Sequence, residues 1–437
     1  MGLKETFRAL RKKGADTARL VLEQPLYSAG IAIYAAGVRV AALRNRKARL
    51  LTQGQKDVWE KLRATLVPGA SYIWVHAASL GEFEQGRPLI ERIRRRCPEK
   101  KIILTFFSPS GYEVRKNYDG ADTVCYLPFD TPGRVSRFLD LVRPEKAIFV
   151  KYEIWRNYIR QLRRRGVETY LVSAAFRPDQ KFFRKTWAWY GHWLRGFTHI
   201  FVQDEGSRTL LASIGIESTV AGDTRFDRVT DIMAARRDIP EAEAFAAPDG
   251  ERAGFIMVVG SSWPEDEDIY VPWLNDRPDV RAIIAPHEFD ARRLDKLRAR
   301  FGSEAVLLSE LKDSPALARS ARILIVDCFG LLSSLYRFAD MAYIGGGFGA
   351  GIHNINEAAV YGIPVVFGPN HGRFIEAEEI IRAEGGLDVH NRARFETFAN
   401  RMLYDPLERQ RRGRLAGEYI QSRLGASDRI FSRIFRS

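Results

Sequence analysis

A chain of 437 residues, 46% of them hydrophobic and 28% charged, has material for two domains of about 200 residues each and is neither fibrous nor mainly disordered. Its formal net charge of +14, from 68 Lys and Arg against 54 Asp and Glu, calls for an acidic partner: nucleic acid, an anionic membrane or a phosphorylated substrate. Cys97, Cys125 and Cys328 stand far apart, and the seven histidines form no HxxxH or clustered Cys/His pattern, which favours reduced thiols and gives a structural metal little support.

The excess charge is concentrated at one end. Residues 1–50 hold eleven Lys or Arg against Glu5, Asp16 and Glu23, a local balance of +8. Between Glu23 and Arg39 lies the uncharged run QPLYSAGIAIYAAGV. It contains Pro25, Ser28 and Gly30 and falls short of the ~20 apolar residues a membrane span takes. An interfacial helix, laying Leu26, Tyr27, Ile31, Ile33 and Tyr34 on anionic lipid between basic flanks, fits better. A basic helix packed on its own domain fits the composition equally well. The late apolar start, followed by another basic cluster, argues against a signal peptide.

Strand-like and helix-like runs then alternate. Tyr72–His76 precedes a helix over Glu82–Arg96, and Lys101–Thr105 precedes a helix over Gly111–Tyr118. Thr123–Leu127, a helix over Pro132–Val142, Lys146–Val150, a helix over Glu153–Arg165 and Glu168–Ser173 follow. A long aromatic helix near Phe182–Arg195 leads to His199–Val202. The polar, alanine-rich stretch Asp231–Glu251 reads as a linker. Beyond it, Gly254–Val259, Val280–Ala285, Ile323–Val326, Met341–Ile344 and Pro364–Phe367 form a second strand series. Strands separated by helices imply parallel βαβ units, and two consecutive doubly wound α/β domains are the economical reading. In such sheets ligands sit beyond the carboxyl ends of the strands.

Several motifs fall there. Glu82 stands at a helix start after the first strand, positioned to act as a general base or simply to complement the helix dipole; Ser79 suits a cap. Ser108, in TFFSPSG, suits either a sugar or phosphate contact or a cap. Lys151 and Glu153 follow another strand. In the second half Ser261 and Ser262 end one strand, and Pro286 and His287 end the next. The run GGGFGAGIHNINEAAVYGIPVVFGPN, from Gly345 to Asn370, joins a strand to a helix predicted from His353. Its glycines, Gly346 among them, allow tight turns and close approach to a ligand, and the helix start suits a phosphate. Asn354 and Glu357, three apart, share a helix face where ribose hydroxyls can be met. A glycine-rich αβ connection with a capped helix accounts for the same spacing. The GxGxxG fingerprint is absent from its usual place and GxxxxGK[ST] is missing.

The ordered set HAASLGEFEQGRPLI (76–90), LTFFSPSG (104–111), LPFDTPGRVSRFLDLVRPEKAIFVKYEIWRN (127–157), LVSAAF (171–176), AGDTRFDRV (221–229), GSSWPEDE (260–267), APHEFD (285–290) and the glycine-rich run resembles the 3-deoxy-D-manno-octulosonic acid (Kdo) transferase family. These enzymes move Kdo from CMP-Kdo onto a lipid A precursor. The resemblance runs from about residue 20 to 425. It implies the GT-B fold: two doubly wound Rossmann-like domains facing a cleft, with an N-terminal basic amphipathic helix. The implied organisation is a basic membrane-associating leader (1–50), an acceptor-binding domain (51–224) and a CMP-sugar donor-binding domain (225–437). It assigns Glu82 as catalytic base of an inverting single displacement, and Ser261, Ser262, Pro286, His287, Gly346, Asn354 and Glu357 to CMP. Lys151, Glu153 and Ser108 fall on the acceptor side, where a second carboxylate is common. No metal or cofactor is implied. The implied partners are CMP-Kdo, a lipid A precursor and the cytoplasmic face of the inner membrane.

This chain has KYEIWRN where ETELWPN is commoner and SSWPEDE where STHEGEE is commoner. The rivals are a GT-B transferase using a UDP-sugar and a non-catalytic membrane-bound nucleotide or glycolipid binder. Nucleic-acid binding lacks a recognisable module.

Overall fold

The computed structural model describes residues 25–435 except 185–187, 235 and 373, so the first part of the basic leader, 1–24, lies outside the described residues. The chain divides into two compact units: one runs to Arg225 and resumes at Gly425, the other spans Phe226–Leu424.

The first unit is built on a seven-stranded, wholly parallel sheet in the order β3-β2-β1-β4-β5-β6-β7. Its strands are β1 (Tyr72–Ala77), β2 (Lys101–Phe106), β3 (Thr123–Tyr126), β4 (Pro144–Val150), β5 (Glu168–Ala174), β6 (His199–Val202) and β7 (Thr219–Val220). Every residue of β1 is buried, as expected of a strand covered by helices on both faces. Trp74, Phe138, Phe149 and Tyr158 pack on one side of the sheet. Ile73, Val75, Phe83, Ile90 and Phe106 pack on the other. Strand order reverses at β1 and β4, which makes their carboxyl ends the switch point where ligands bind.

The second unit repeats the plan with β8 (Phe255–Ser262), β9 (Val280–Pro286), β10 (Ala305–Leu307), β11 (Ile323–Ile325), β12 (Met341–Ile344), β13 (Val365–Phe367) and β14 (Gly386–Asp388). Their order is β10-β11-β9-β8-β12-β13-β14, all parallel, with the reversal at β8 and β12.

Several expected elements differ. The stretch 231–251 is not a bare linker: it holds the end of the helix Arg225–Ala234 and the helix Pro240–Ala246, whose Ala242 and Phe245 lie in the second core. The expected helix 182–195 is broken into a 3₁₀ turn at Lys181–Phe183, a short helix at Ala188–His192 and a second 3₁₀ turn at Trp193–Gly196. Residues 425–435 do not complete the second domain. The helix Ala426–Ile434 returns to the first unit, inserting Ile430 and Ile434 beneath the sheet, with Arg92 paired to Asp428.

Residues 25–41 are helical and pack on their own unit. The Tyr27 hydroxyl donates to Asp130 Oδ2 at 2.6 Å, and Ile31, Ala35 and Val38 lie against Leu51, Tyr126 and Phe129. The opposite side stays open, with Leu26 71%, Ile33 73%, Val40 69% and Leu43 78% exposed. One face of this segment therefore belongs to the core, and the other is an exposed apolar stripe. Among the described residues no helix is long and apolar enough to cross a membrane.

Candidate active site

In the first unit the site residues gather at the β1 and β4 ends. Beyond Ala77, the Ala78 carbonyl accepts from the Phe107 and Ser108 N–H groups at 3.2 and 2.7 Å, which locks the turn after β1 to the turn after β2. Ser79 then starts the helix Leu80–Arg96 in extended conformation. Its hydroxyl makes no cap bond to the backbone and donates instead to Glu82 Oε2. Glu82 is half-buried in the first helical turn, where a carboxylate is favoured by the dipole. Glu82 is also among the charges that, after burial, hold the Tyr152 phenol above its ordinary pKa.

His76 is fully buried beneath them. Its Nδ1 lies 2.9 Å from Thr105 Oγ1 and 3.1 Å from the Thr105 carbonyl. A carbonyl only accepts, so we assign the ring proton to Nδ1, leaving Nε2 as an acceptor. Trp155 Nε1 faces it at 3.1 Å and donates more closely to Glu153 Oε2 at 2.7 Å. Glu153 is therefore the anchor of Trp155, with His76 Nε2 3.4 Å away. Lys151 takes a left-handed conformation, φ 68°, and its N–H donates to the Val172 carbonyl. Ser108 accepts from the Ser110 N–H at 3.3 Å and caps the helix Pro109–Arg115.

An aromatic wall lies beside these groups that the sequence motifs do not single out. Phe107 packs on Trp155 at 4.7 Å, on Phe129 at 6.1 Å and on Tyr34 of the N-terminal helix at 6.3 Å. The signal was present in TFFSP and EIWRN, but aromatic residues after strands more often mark core than ligand walls.

In the second unit the glycine-rich turn differs from expectation in two ways. The helix it leads into is only Asn356–Ala359, too short for a substantial dipole. The N–H groups of Gly345, Gly346, Gly349, Gly351, Ile352 and His353 are all bonded within the unit. The glycines serve close packing of protein on protein. A Cβ on Gly345 would meet the Ser261 carbonyl oxygen at 2.3 Å, and one on Gly347 the Gly368 nitrogen at 2.5 Å. Gly346 itself takes φ 90°.

Asn354 and Glu357 do share a face: Asn354 Nδ2 donates to Glu357 Oε1 at 2.9 Å. Burial raises the Glu357 pKa against the opposing effects of Asn354 and Arg228. Ser261 stands in the left-handed region, φ 54°. Ser262, assigned to CMP by the resemblance, is buried, with its hydroxyl 2.8 Å from Tyr270 Oη. Its carbonyl accepts from the His287 N–H at 2.9 Å, directly after Pro286.

Three residues outside the predicted set complete this end of the sheet. Trp263 stacks on His287 at 4.4 Å and 22°, His287 lies 4.7 Å from the His353 ring, and Trp263 Nε1 donates to His353 Nε2 at 3.3 Å. Burial, then the neighbouring His287, lowers the His353 pKa. Beneath them the fully buried Asp266 accepts from the Trp263 and Gly346 N–H groups at 2.9 and 2.8 Å and from the Tyr343 hydroxyl at 3.1 Å. Its pKa is raised by burial, and these bonds oppose the rise.

Two tandem doubly wound parallel α/β units, each with polar groups clustered at its switch point, make up the GT-B fold. A structure of UDP-GlcNAc 2-epimerase from Neisseria meningitidis bound to UDP-GlcNAc shares this fold at TM-score 0.58 and 12% identity, covering 84% of this chain and 100% of that one. The chain is similar to the Kdo transferase family. Residues 43–228 match the sequence model of 3-deoxy-D-manno-octulosonic-acid transferase (kdotransferase), and similarity to family members continues beyond them. The 3-deoxy-D-manno-octulosonic acid transferase of Bordetella pertussis is 27% identical over 394 residues, 84% of this chain and 87% of that protein. That of Aquifex aeolicus is 26% identical over 338 residues, 76% and 86% respectively.

Proposed function

We propose that this protein transfers Kdo from CMP-Kdo to a lipid A precursor in lipopolysaccharide core synthesis, by a single inverting displacement with Glu82 as general base. The observation that carries the reading is Glu82 itself. In Leu80-Gly81-Glu82 it lies at the switch point of the first sheet, half-buried, with one carboxylate oxygen engaged by the Ser79 hydroxyl. That bond orients the carboxylate and leaves its other oxygen for an acceptor hydroxyl. As the acceptor oxygen attacks the anomeric carbon, its proton passes to Glu82 and the bond to CMP breaks, the electron pair leaving with the phosphate. On the donor side Asn354 and Glu357 suit ribose hydroxyls, while His287, backed by Trp263, offers a flat surface to a pyrimidine.

A phosphorylated glycolipid acceptor places the enzyme at the cytoplasmic face of the inner membrane. The exposed stripe Leu26, Ile33, Val40 and Leu43, followed by Arg44, Arg46, Lys47 and Arg49, has the apolar and cationic character of an interfacial helix.

Glu82→Gln keeps the shape and the Ser79 contact. It should bind CMP with unchanged affinity while transfer to a lipid A precursor, followed by mass spectrometry, falls about 10²- to 10⁴-fold, the usual contribution of a general base. Retained turnover would remove Glu82 from the role. Competition by UDP rather than CMP would point to a UDP-sugar enzyme.

A further inference from the structure

The helix Arg156–Arg164 has the sequence RNYIRQLRR. Its inner face, Tyr158, Ile159 and Leu162, is in the core. Its other face borders a cavity of about 260 Å³ lined by Pro132, Asn157, Arg160, Gln161, Arg164 and Arg165. The polar groups at its edges are already committed. Gln161 Nε2 donates to the Pro132 carbonyl at 2.9 Å, and Arg165 pairs with Asp140 at 2.8 Å. Arg160 and Arg164 have no hydrogen-bond or ion-pair partner among the described residues, and no carboxylate lines the cavity. Burial, and then Arg164 and Arg156, lower the Arg160 pKa.

Two unpaired guanidinium groups at the edge of a small cavity suit a tetrahedral oxyanion. Arginine presents forked donors that match phosphate oxygens, and such bonds are about twice as strong as neutral ones. The volume is below the roughly 300–1,000 Å³ of drug-sized ligand sites, enough for a phosphate group and not for a sugar nucleotide. Asn157, on the cavity wall, reaches Ser28 Oγ of the N-terminal helix at 3.4 Å. The exposed apolar stripe of that helix begins two residues away, at Leu26. Cation and grease therefore adjoin, in the arrangement that an acidic lipid presents from its own side: phosphate at the surface, acyl chain beneath.

We propose that this cavity receives the phosphate of an anionic phospholipid headgroup, with Arg160 and Arg164 as its donors. The inference rests on the membrane-docking reading above and adds a discrete headgroup site, distinct from the Glu82 cluster, that fixes how the first unit lies on the bilayer.

Full-length wild-type protein and two charge-matched variants, Arg160→Gln/Arg164→Gln and Lys56→Gln/Arg63→Gln, test it in sedimentation with phosphatidylcholine vesicles with and without phosphatidic acid. Lys56 and Arg63 are exposed on the helix Arg46–Thr65 of the same unit. At about fivefold per basic group at an anionic surface, the Arg160/Arg164 variant should lose roughly 25-fold in affinity for the acidic vesicles, and the control pair less than about threefold. Matched circular dichroism and melting curves exclude misfolding, and Arg160→Lys/Arg164→Lys should recover part of the loss. Equal losses in the two glutamine variants would overturn the site while leaving general membrane docking intact. Wild-type protein that ignores acidic vesicles would overturn both. Inorganic phosphate binding by calorimetry, lost in the Arg160/Arg164 variant whose vesicle affinity is unchanged, would make this a free-anion site and overturn the lipid assignment.

Discussion

Asp266 offers the sharpest test of how the donor-side loops are held. Its carboxylate is fully buried and accepts three bonds, two from the N–H groups of Trp263 and Gly346 and one from the Tyr343 hydroxyl. It thereby ties the turn after β8 to the turn after β12. Asp266→Ala strands three buried donors. At roughly 1–3 kcal/mol for each unsatisfied group, partly offset by removing a buried carboxylate, the net cost is about 3–6 kcal/mol. That is a large part of the 5–15 kcal/mol that typically holds a domain together. Asp266→Asn should cost only about 1 kcal/mol: the amide oxygen can accept both N–H groups while Tyr343 turns its hydroxyl to accept from the amide nitrogen. Urea unfolding compares stabilities, and calorimetry with CMP compares the loops. The alanine variant should lose both stability and CMP affinity; the asparagine variant should keep nearly all of each. Equal stability of the two, within about 1 kcal/mol, would show that this carboxylate does not hold the turns.

Two pH effects follow. Burial lifts Asp130 from 3.8 to about 6, against the bonds from Tyr27 and from the Asn157 and Tyr158 N–H groups that pull it down. With the folded value above the unfolded one, its stabilising contribution is complete below the unfolded value and is lost as pH rises through about 6. At about 1.4 kcal/mol per pKa unit, wild type should lose about 2 kcal/mol relative to Asp130→Asn between about pH 4 and pH 7; parallel pH profiles in urea unfolding would refute this. His353, lowered by burial and then by His287, should titrate by NMR below the ordinary 6.5 and stay neutral near pH 7. His287→Gln should raise its midpoint, and an unmoved midpoint would uncouple the two rings.

The architecture was legible where strands are long and buried. The pattern of Met341–Ile344 predicts β12 residue for residue, because a parallel strand covered on both faces is a continuous apolar run bounded by turn residues. It was illegible where elements are short or where a stripe names a face and not a partner. β7, β10 and β14 have two or three residues each and lie at sheet edges, where burial is incomplete. The helix Ala426–Ile434 carries a clear apolar stripe, yet nothing in Ala426, Ile430 and Ile434 says that they cover the first sheet. Among candidate site residues, Glu82, Asn354 and Glu357 are visible in the sequence from their position after strands. Trp263, His353 and Asp266 are not, since their importance lies in contacts across 24 to 90 positions of chain.

The glycine-rich turn illustrates the same limit from the opposite direction. Glycines ahead of a helix suggest a phosphate cradle because backbone N–H groups there are usually free. In this unit six of those groups already have partners, and a Cβ on Gly345 or Gly347 would strike neighbouring backbone rather than an empty site. A loop so committed is a rigid joint. Through those six positions it serves a nucleotide by placing side chains rather than by donating. Asn354 and Glu357 are fixed by the bond between them, and the Trp263, His287 and His353 rings are fixed by Asp266 from below. Substitutions at the glycines should therefore disturb binding by moving those side chains, and a variant that alters a ring without moving the loop, such as Trp263→Phe, separates the two contributions. It retains the aromatic face and loses the 3.3 Å bond to His353. A small loss of CMP affinity, about 1 kcal/mol for one neutral hydrogen bond, would assign the larger share of recognition to stacking; a loss as large as that of Asp266→Ala would assign it to the joint.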